Sequence, residues 1–375
     1  MIYLDHNATT PIDSRVMDAM LPYLEDLYGN ASALYRLGRL SRDAIETARA
    51  QVALLTGAAP EQVFFTSGAT ESNNLSILGF ATKRRDALIA CSATEHASLV
   101  EPIHQLKQLG LNTCVIPVDS MGRLDYSKMP QNIGYLGLIL ANNETGVVND
   151  LTKAALHCAQ GATFLHIDAV QALGRIPFDF RESQADSMSL SGHKMHGPKG
   201  VGALILKDHR KFENPLRGGL QEFGVRSGTE NVPGIVGLGQ AAELLYQEME
   251  HRASKLKALQ LHLELGLKQL PKRTHIFGEE AKRIPNTTQF CIEGFRGETL
   301  VMMLDKKGFA VSSGSACHTG SETPSPVLKA MGVADELALG AVRVSLGKDS
   351  TKVHIDQFLE ALVQLCHSSF QPISR

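Results

Sequence analysis

The sequence lacks the features that mark secreted and membrane-spanning proteins. No two of its six cysteines form a C-x-x-C pair, so neither a metal site nor a redox site of that type is indicated. A chain of 375 residues buries enough apolar surface to fold without disulfides, which favours a reducing, cytoplasmic setting. No apolar run approaches the ~20 residues of a membrane span. The N-terminus has no basic stretch followed by an apolar one, so no signal peptide is expected.

An excess of charge of either sign is also missing. Lys and Arg total 37 against 39 Asp and Glu, which gives a net charge of −2. This balance provides no bulk attraction to nucleic acid or to an anionic membrane surface. We therefore expect neither as a direct partner, and the composition of 43% hydrophobic and 20% charged residues is that of an ordinary globular protein.

Short apolar runs alternate with helical patterns through most of the chain. The runs lie at 63–65, 87–90, 114–118, 136–141, 164–167 and 201–206. Strands that alternate with helices predict βαβ units and a mostly parallel sheet. A long helical pattern from Ile235 to Leu270 then leads to further short strands. We predict an α/β fold with a large domain over residues 16–250 and a smaller α+β domain formed by residues 1–15 and 251–375.

The common nucleotide and zinc-protease motifs are absent. The sequence contains no G-x-x-x-x-G-K-[ST], no G-x-G-x-x-G and no H-E-x-x-H. His193 and His196 are three residues apart, but without a third ligand nearby we expect no metal.

Polar residues instead follow several predicted strands directly. A glycine- and hydroxyl-rich turn, 66–72, opens a helix, which suits a phosphate as well as simple N-capping. His96, Asp168 and Lys194 follow three further strands, although singly they also fit a structural His, a helix cap and a solvated Lys. Asp168 and Lys194 are 26 residues apart (194 − 168), room for one helix and one strand. Together the set fits pyridoxal phosphate, whose aldehyde needs a Lys and whose ring nitrogen needs an Asp.

Eight motifs carry a resemblance to a known family. They read YLDHNATTP, FTSGATESNN, ATEH, NNETG, HIDAVQ, SGHKMHGPKG, RSGTEN and SSGSAC, and the match runs from Tyr3 to about Gly347. On these motifs the sequence resembles the cysteine desulfurases of NifS and IscS type, in the class V aminotransferase group of pyridoxal phosphate enzymes of fold type I. The resemblance implies that fold, pyridoxal 5′-phosphate as cofactor, L-cysteine as substrate and a homodimer.

The resemblance also implies roles for individual residues. Lys194 matches the Schiff-base lysine, His96 lies over the cofactor ring, and Asp168 pairs with the ring nitrogen. Arg343 matches the arginine that binds the substrate carboxylate, and Asn143 belongs to the same substrate site. The remaining cofactor contacts that the resemblance implies are Gln171 and Asn143 near the phenolic oxygen, Ala69, Thr70, Ser191 and His193 at the phosphate, and Thr229 reaching the phosphate from the partner subunit.

Cys317 distinguishes the reactions that this fold supports. It lies in the small, polar segment 312–326, a predicted surface loop in which nothing would bury a thiol, whereas Cys91, Cys114 and Cys291 lie in apolar, strand-like runs. A free thiol has a pKa near ~8.5, so a small fraction is nucleophilic thiolate at neutral pH. The resemblance implies that Cys317 takes up the sulfur of cysteine as a persulfide.

We predict a cytoplasmic enzyme that converts L-cysteine to L-alanine and passes the Cys317 persulfide to an acceptor protein. The acceptor would serve iron–sulfur cluster assembly or another sulfur-modification pathway, such as DNA phosphorothioation. One alternative is a selenocysteine lyase, or another lyase or aminotransferase of the same fold. A second alternative is a non-catalytic scaffold for sulfur trafficking. The SSGSAC motif favours a desulfurase over an aminotransferase. The intact Lys194, Asp168, His96 and Cys317 argue against a scaffold.

Overall fold

The computed structural model describes residues 1–313 and 323–367. The strands in these residues are β1 (Ile2–Tyr3), β2 (Val63–Thr66), β3 (Leu88–Ser92), β4 (Thr113–Ile116), β5 (Ile133–Ile139), β6 (Phe164–Asp168), β7 (Ser187–Ser191), β8 (Gly202–Leu206), β9 (Thr274–Ile276), β10 (Thr287–Ile292), β11 (Phe309–Ala310), β12 (Ser312–Ser313) and β13 (Val342–Ser345). The helices are α1 (Ser14–Glu25), α2 (Arg36–Thr56), α3 (Ala69–Lys83), α4 (Ala97–Gln108), α5 (Leu151–Gly161), α6 (Val232–Lys268), α7 (Gly297–Lys306), α8 (Pro326–Ala330), α9 (Asp335–Leu339) and α10 (Lys352–His367). Every helix of these residues is too short or too polar to span a bilayer.

A seven-stranded sheet forms the centre of the molecule, in the order β2-β8-β7-β6-β5-β3-β4. Within it, β8 runs against both of its neighbours, and all other pairs are parallel. The predicted α/β fold with a mostly parallel sheet is thereby confirmed. Because β2, β3, β5, β6 and β7 point the same way, the segments that follow them emerge at one edge of the sheet.

The central strands are buried on both faces, which explains their sequences. β5 reads IGYLGLI, a nearly continuous apolar run of the kind that parallel sheets favour. β7 reads SMSLS, yet all five of its residues are buried. Its Ser187 is accommodated because its hydroxyl hydrogen-bonds with Ser76 Oγ at 2.9 Å and His166 Nδ1 at 2.7 Å. The interval between Asp168 and Lys194 has room for a helix, but the chain forms turns there before it enters β7.

Two apolar cores lie on either side of the middle of α6. The larger core surrounds the central sheet and includes Val232 to Leu245 of α6. The second core joins Leu4, β10, β13 and α10 with Leu256 to Leu267 of the same helix. The helix therefore crosses residue 250, and the division into residues 16–250 and residues 1–15 with 251–375 stays a prediction.

The first ten residues connect the small sheets to the central sheet. β1 pairs with β11, and Asp5 forms a bridge with Ser345 of β13. Farther along, the Thr10 backbone N–H donates to the carbonyl of His193 at 2.9 Å. The residues between these anchors consequently lie across the sheet edge, next to Lys194.

Candidate active site

The structure brings the predicted strand-end residues to one edge of the central sheet. Asp168 ends β6, Ser191 ends β7, and His96 is the N-cap of α4 after β3. Lys194 follows Ser191 in a 3₁₀ turn, and Asn143 lies in the turn after β5. The parallel strand direction predicted this gathering.

Lys194 makes no ion pair with any described residue. Its Nζ donates to the backbone carbonyls of Asn7 at 2.6 Å and Ala8 at 2.7 Å. Burial, followed by repulsion from Arg343 and Arg175, lowers the pKa of this amine to about 8. A sizeable fraction of Lys194 is therefore neutral near pH 8, the form in which a lysine attacks a carbonyl carbon.

Asp168 is buried and held from two sides. Its Oδ2 accepts from Asn73 Nδ2 at 3.0 Å, and its Oδ1 accepts from the Val170 backbone N–H at 3.0 Å. The same Asn73 amide donates to Ser98 Oγ at 2.8 Å, and that hydroxyl lies 2.8 Å from His96 Nδ1. A line of hydrogen bonds thus runs from Asp168 through Asn73 and Ser98 to His96 and fixes the two ends relative to each other.

The protonation of His96 follows from its backbone contact. Its Nδ1 accepts from the Ser98 backbone N–H at 3.1 Å, so in the neutral ring the proton resides on Nε2. Burial lowers the pKa of His96, and the nearby Lys194 lowers it further, while Asp168 opposes both. The ring is therefore neutral at physiological pH, and its Nε2 is the atom left to exchange a proton.

Three of the residues predicted at a phosphate, Ala69, Thr70 and Ser191, lie close together. Ala69 and Thr70 begin α3, and Gly68 is its N-cap. A Cβ on Gly68 would lie 3.9 Å from Ser191 Oγ, so the hydroxyl faces the amino end of the helix. Burial lowers the pKa of His193 to about 4 and keeps that ring neutral. Helix N–H groups with a hydroxyl beside them suit an anion.

Arg343 and Asn143 meet at a second position in the site. Arg343 Nη2 pairs with Asp5 Oδ1 at 2.7 Å, and its Nη1 donates to the Asn143 carbonyl at 3.0 Å. The Nε of the same guanidinium is buried without a partner. A fixed guanidinium with a donor to spare is suited to a carboxylate ligand.

Gln171 shares an acceptor with Lys194. Its Nε2 donates to the Asn7 carbonyl at 3.0 Å, and its Oε1 accepts from Arg175 Nη1. Thr229, in contrast, lies on an exposed segment, three residues after Arg226. Its predicted role at a partner subunit stays a prediction.

Several residues of this site were missed by the sequence analysis. They include Asp5, Asn7, Asn73 and Arg175. The first three lie inside the motifs YLDHNATTP and FTSGATESNN, which were the available signal. Arg175 follows the HIDAVQ motif by four residues and resembles an ordinary surface cation.

Cys317 lies outside the described residues, but described residues at both ends of its segment, 312–326, contact the site. On one side, Ser312 of β12 pairs with Arg343 of β13. On the other, the Ser325 hydroxyl donates to Glu144 Oε2 at 2.6 Å, next to Asn143. The chain therefore leaves and re-enters the described structure beside the predicted carboxylate site.

The five described cysteines are poor nucleophiles. Burial is the largest cause of a raised thiol pKa in each of them, and the pKa of Cys291 reaches about 11. Their thiols are consequently protonated at neutral pH. The set comprises Cys91, Cys114, Cys158, Cys291 and Cys366.

Comparisons with known proteins cover nearly the whole chain. The family model "Aminotransferase class-V" matches residues 2–358, a range that contains every predicted site residue. A cysteine desulfurase of Sinorhizobium fredii (strain NBRC 101917 / NGR234) is 42% identical over 368 residues, which cover 96% of this chain and 95% of that protein. A solved NifS-like protein has a TM-score of 0.90 at 34% identity, covering 97% and 98% of the two chains. The structure of SspA in complex with cysteine has a TM-score of 0.82 at 29% identity, covering 94% and 100%.

Proposed function

The chain belongs to the cysteine desulfurases of aminotransferase class V, which depend on pyridoxal 5′-phosphate, and we propose that its active site is the one described above. The observation that carries this assignment is the Lys194 amine. It is half-buried, and its hydrogen bonds in the described residues go to the carbonyls of Asn7 and Ala8. Asp168 is close enough to raise the pKa of Lys194, and Lys194 is close enough to lower the pKa of His96.

The residues present fit the cofactor. Lys194 would hold its aldehyde carbon, and Asp168 would hold its ring nitrogen protonated. The amino end of α3, Ser191 and His193 would hold its phosphate, with Gln171 at the phenolic oxygen. The bound cofactor supplies an electron sink that stabilises negative charge at the Cα of an amino acid.

The protein's own groups then account for substrate binding and proton movement. Arg343, with its unpartnered Nε, would bind the carboxylate of L-cysteine beside Asn143. Lys194 as a neutral amine would carry a proton to and from the substrate's Cα. His96, neutral with its proton on Nε2, would exchange a proton with the substrate as it binds and with the product before it leaves. Asn73 keeps Asp168 and Ser98 aligned throughout.

Sulfur is transferred to Cys317 in this proposal. Its thiol attacks the sulfur of bound L-cysteine, the substrate's carbon–sulfur bond breaks, and the carbon receives a proton. L-Cysteine and the Cys317 thiol thereby become L-alanine and a Cys317 persulfide, with no atoms left over. The raised thiol pKa of the five described cysteines supports Cys317 in this role.

We further propose that an acceptor protein takes the sulfur, and that Thr229 serves the partner subunit in a homodimer.

A product assay on the purified full chain tests the reaction class. With pyridoxal 5′-phosphate, a thiol reductant and L-cysteine, we expect alanine and sulfide in equal amounts without any added keto acid. A requirement for a keto acid would instead indicate an aminotransferase, and release of pyruvate and ammonia would indicate a lyase. Turnover of selenocysteine with none of cysteine would support the selenocysteine lyase, and the absence of any product would support a scaffold.

Replacement of Arg343 tests the carboxylate site. A hydrogen bond to a charged group contributes about 1.5–3 kcal/mol, so we expect Arg343→Ala to lower kcat/KM for L-cysteine by about 10–100-fold, mainly through KM. Arg343→Lys keeps the charge but loses the paired donors, so its kcat/KM should lie between the values of wild type and Arg343→Ala. Steady-state kinetics at several cysteine concentrations give the values. Unchanged kinetic constants in Arg343→Ala would assign the carboxylate to another group.

A further inference from the structure

Arg175 is a buried cation without an acidic partner among the described residues. It is 8% exposed, and its Nη1 donates to the backbone carbonyl of Gln171 at 2.8 Å and to Gln171 Oε1. Buried arginines are normally paired with a carboxylate, because an unpaired buried charge is costly. Here burial and the neighbouring Arg343 both lower the pKa of Arg175, to about 10, and no acid offsets them. A guanidinium buried without a carboxylate partner points to a role for its charge.

A short chain of hydrogen bonds leads from Arg175 to the Lys194 amine. Gln171 receives the guanidinium at its Oε1, and its Nε2 donates to the Asn7 carbonyl at 3.0 Å. Lys194 Nζ donates to the same carbonyl at 2.6 Å. A cation on the oxygen of an amide polarises it and strengthens its N–H donor. Because the Asn7 carbonyl also accepts this stronger hydrogen bond from Gln171, it stabilises a protonated Lys194 less well.

Of the two arginines that lower the pKa of Lys194, Arg175 is the one without an acidic partner among the described residues. Asp5 is already paired with Arg343, and Asp168 is held by Asn73. Burial, Arg343 and Arg175 lower the pKa of Lys194, while Asp5 and Asp168 raise it. The two histidines whose own pKa responds to Lys194 are His96 and His193, both of which are kept neutral by burial.

We propose that Arg175 is a positioning residue of the active site, which acts through Gln171 and through its own charge to keep the Lys194 amine neutral and reactive. The inference deepens the proposed function, because Lys194 is the residue to which the cofactor would be joined. Arg175 itself touches neither the proposed cofactor site nor the substrate site through any described hydrogen bond other than those to Gln171. Its effect on Lys194 is therefore electrostatic and needs no direct hydrogen bond between the two side chains.

Three substitutions separate the charge of Arg175 from its hydrogen bond. Arg175→Lys keeps the charge, Arg175→Gln keeps an N–H donor without the charge, and Arg175→Met keeps neither. In the full-length, cofactor-free chain, the rate at which trinitrobenzenesulfonate labels Lys194 is followed against pH by peptide mass mapping. Wild type should have its midpoint near pH 8. We expect Arg175→Met and Arg175→Gln to raise the midpoint by roughly one unit, and Arg175→Lys to leave it near the wild-type value.

The visible absorption of the holoenzyme provides a second reading, and its pH midpoint should move in the same direction in the same variants. The proposal is overturned if the pH midpoint of Lys194 labelling in Arg175→Met or in Arg175→Gln equals that of wild type. It is also overturned if the midpoint in Arg175→Lys shifts as far as it is expected to shift in Arg175→Met. If Arg175→Met does not fold, Arg175→Gln gives the decisive comparison. Labelling needs no cofactor or turnover. A protein that fails to bind cofactor but shows the shift would therefore contradict the proposed function alone, whereas an active enzyme without the shift would contradict this inference alone.

Discussion

Lys194→Ala should leave a folded protein that has lost its visible absorption and releases almost no alanine from L-cysteine. Two effects combine in this variant. The chain loses the amine to which the cofactor would be joined, and it loses the group that would carry the proton at the substrate's Cα. The loss of a proton carrier alone costs about 10²–10⁴-fold in rate. Alanine release, the absorption spectrum and the melting temperature measure the three expectations separately.

A nearby lysine provides the matched control for this variant. Lys199 is exposed and lies five residues farther along the same segment. Lys199→Ala should keep both colour and activity, because its side chain has no place in the hydrogen-bond network around Asn7. Treatment of each protein with borohydride, followed by peptide mapping, locates any covalently bound cofactor. A Lys194→Ala variant that still yields the reduced cofactor adduct at wild-type level would remove Lys194 from its assigned role.

The gathering of His96, Asp168 and Lys194 was predictable because it depends on strand direction alone. Each follows a strand that runs the same way in the central sheet. Strands of equal direction must end at the same edge, whatever their separation along the chain. Sequence patterns that identify strands therefore also indicate which distant loops meet.

Contacts made by the N-terminal segment were not predictable from local patterns. Asp5 pairs with Arg343, and the Asn7 backbone N–H donates to Ser345 Oγ at 2.9 Å, in each case across 338 positions of sequence. The segment itself contains only the two-residue strand β1. No periodicity in so short a stretch specifies its partner. The motif YLDHNATTP indicated that these residues matter, but not what they touch.

Buried polar side chains also limited the sequence analysis. The serines of β7 give it the alternation of a half-exposed strand, although hydrogen bonds such as that between Ser187 and His166 allow the whole strand to be buried. Arg175 is a similar case, since its burial depends on the turn that folds it back onto Gln171. Charge and polarity along the sequence predict exposure only when no partner lies nearby in space.

Cys317→Ser should separate the cofactor chemistry from the sulfur transfer. Lys194, Asp168 and His96 do not need the thiol, so this variant should keep its colour and still change its spectrum when L-cysteine is added. Serine is close to cysteine in size but is a far weaker nucleophile toward sulfur. We therefore expect alanine release from L-cysteine to fall to background. Selenocysteine has the weaker carbon–selenium bond, and its turnover should suffer less.

Cys366→Ser is the matched control. The Cys366 side chain is only half-buried, but burial raises the pKa of its thiol, so we expect it to take no part in the reaction. This variant should release alanine at the wild-type rate. A similar loss of activity in Cys317→Ser and Cys366→Ser would point to general damage rather than to a missing nucleophile.

The most direct test of the whole account is the mass of the protein after one exposure to L-cysteine without reductant. Wild type and Cys366→Ser should each gain one sulfur atom, located by peptide mapping on the peptide that contains Cys317, together with one alanine released per sulfur bound. Cys317→Ser should gain no sulfur and release no alanine. Wild-type alanine release by Cys317→Ser, or a persulfide mapped to another cysteine, would contradict the mechanism proposed for this enzyme.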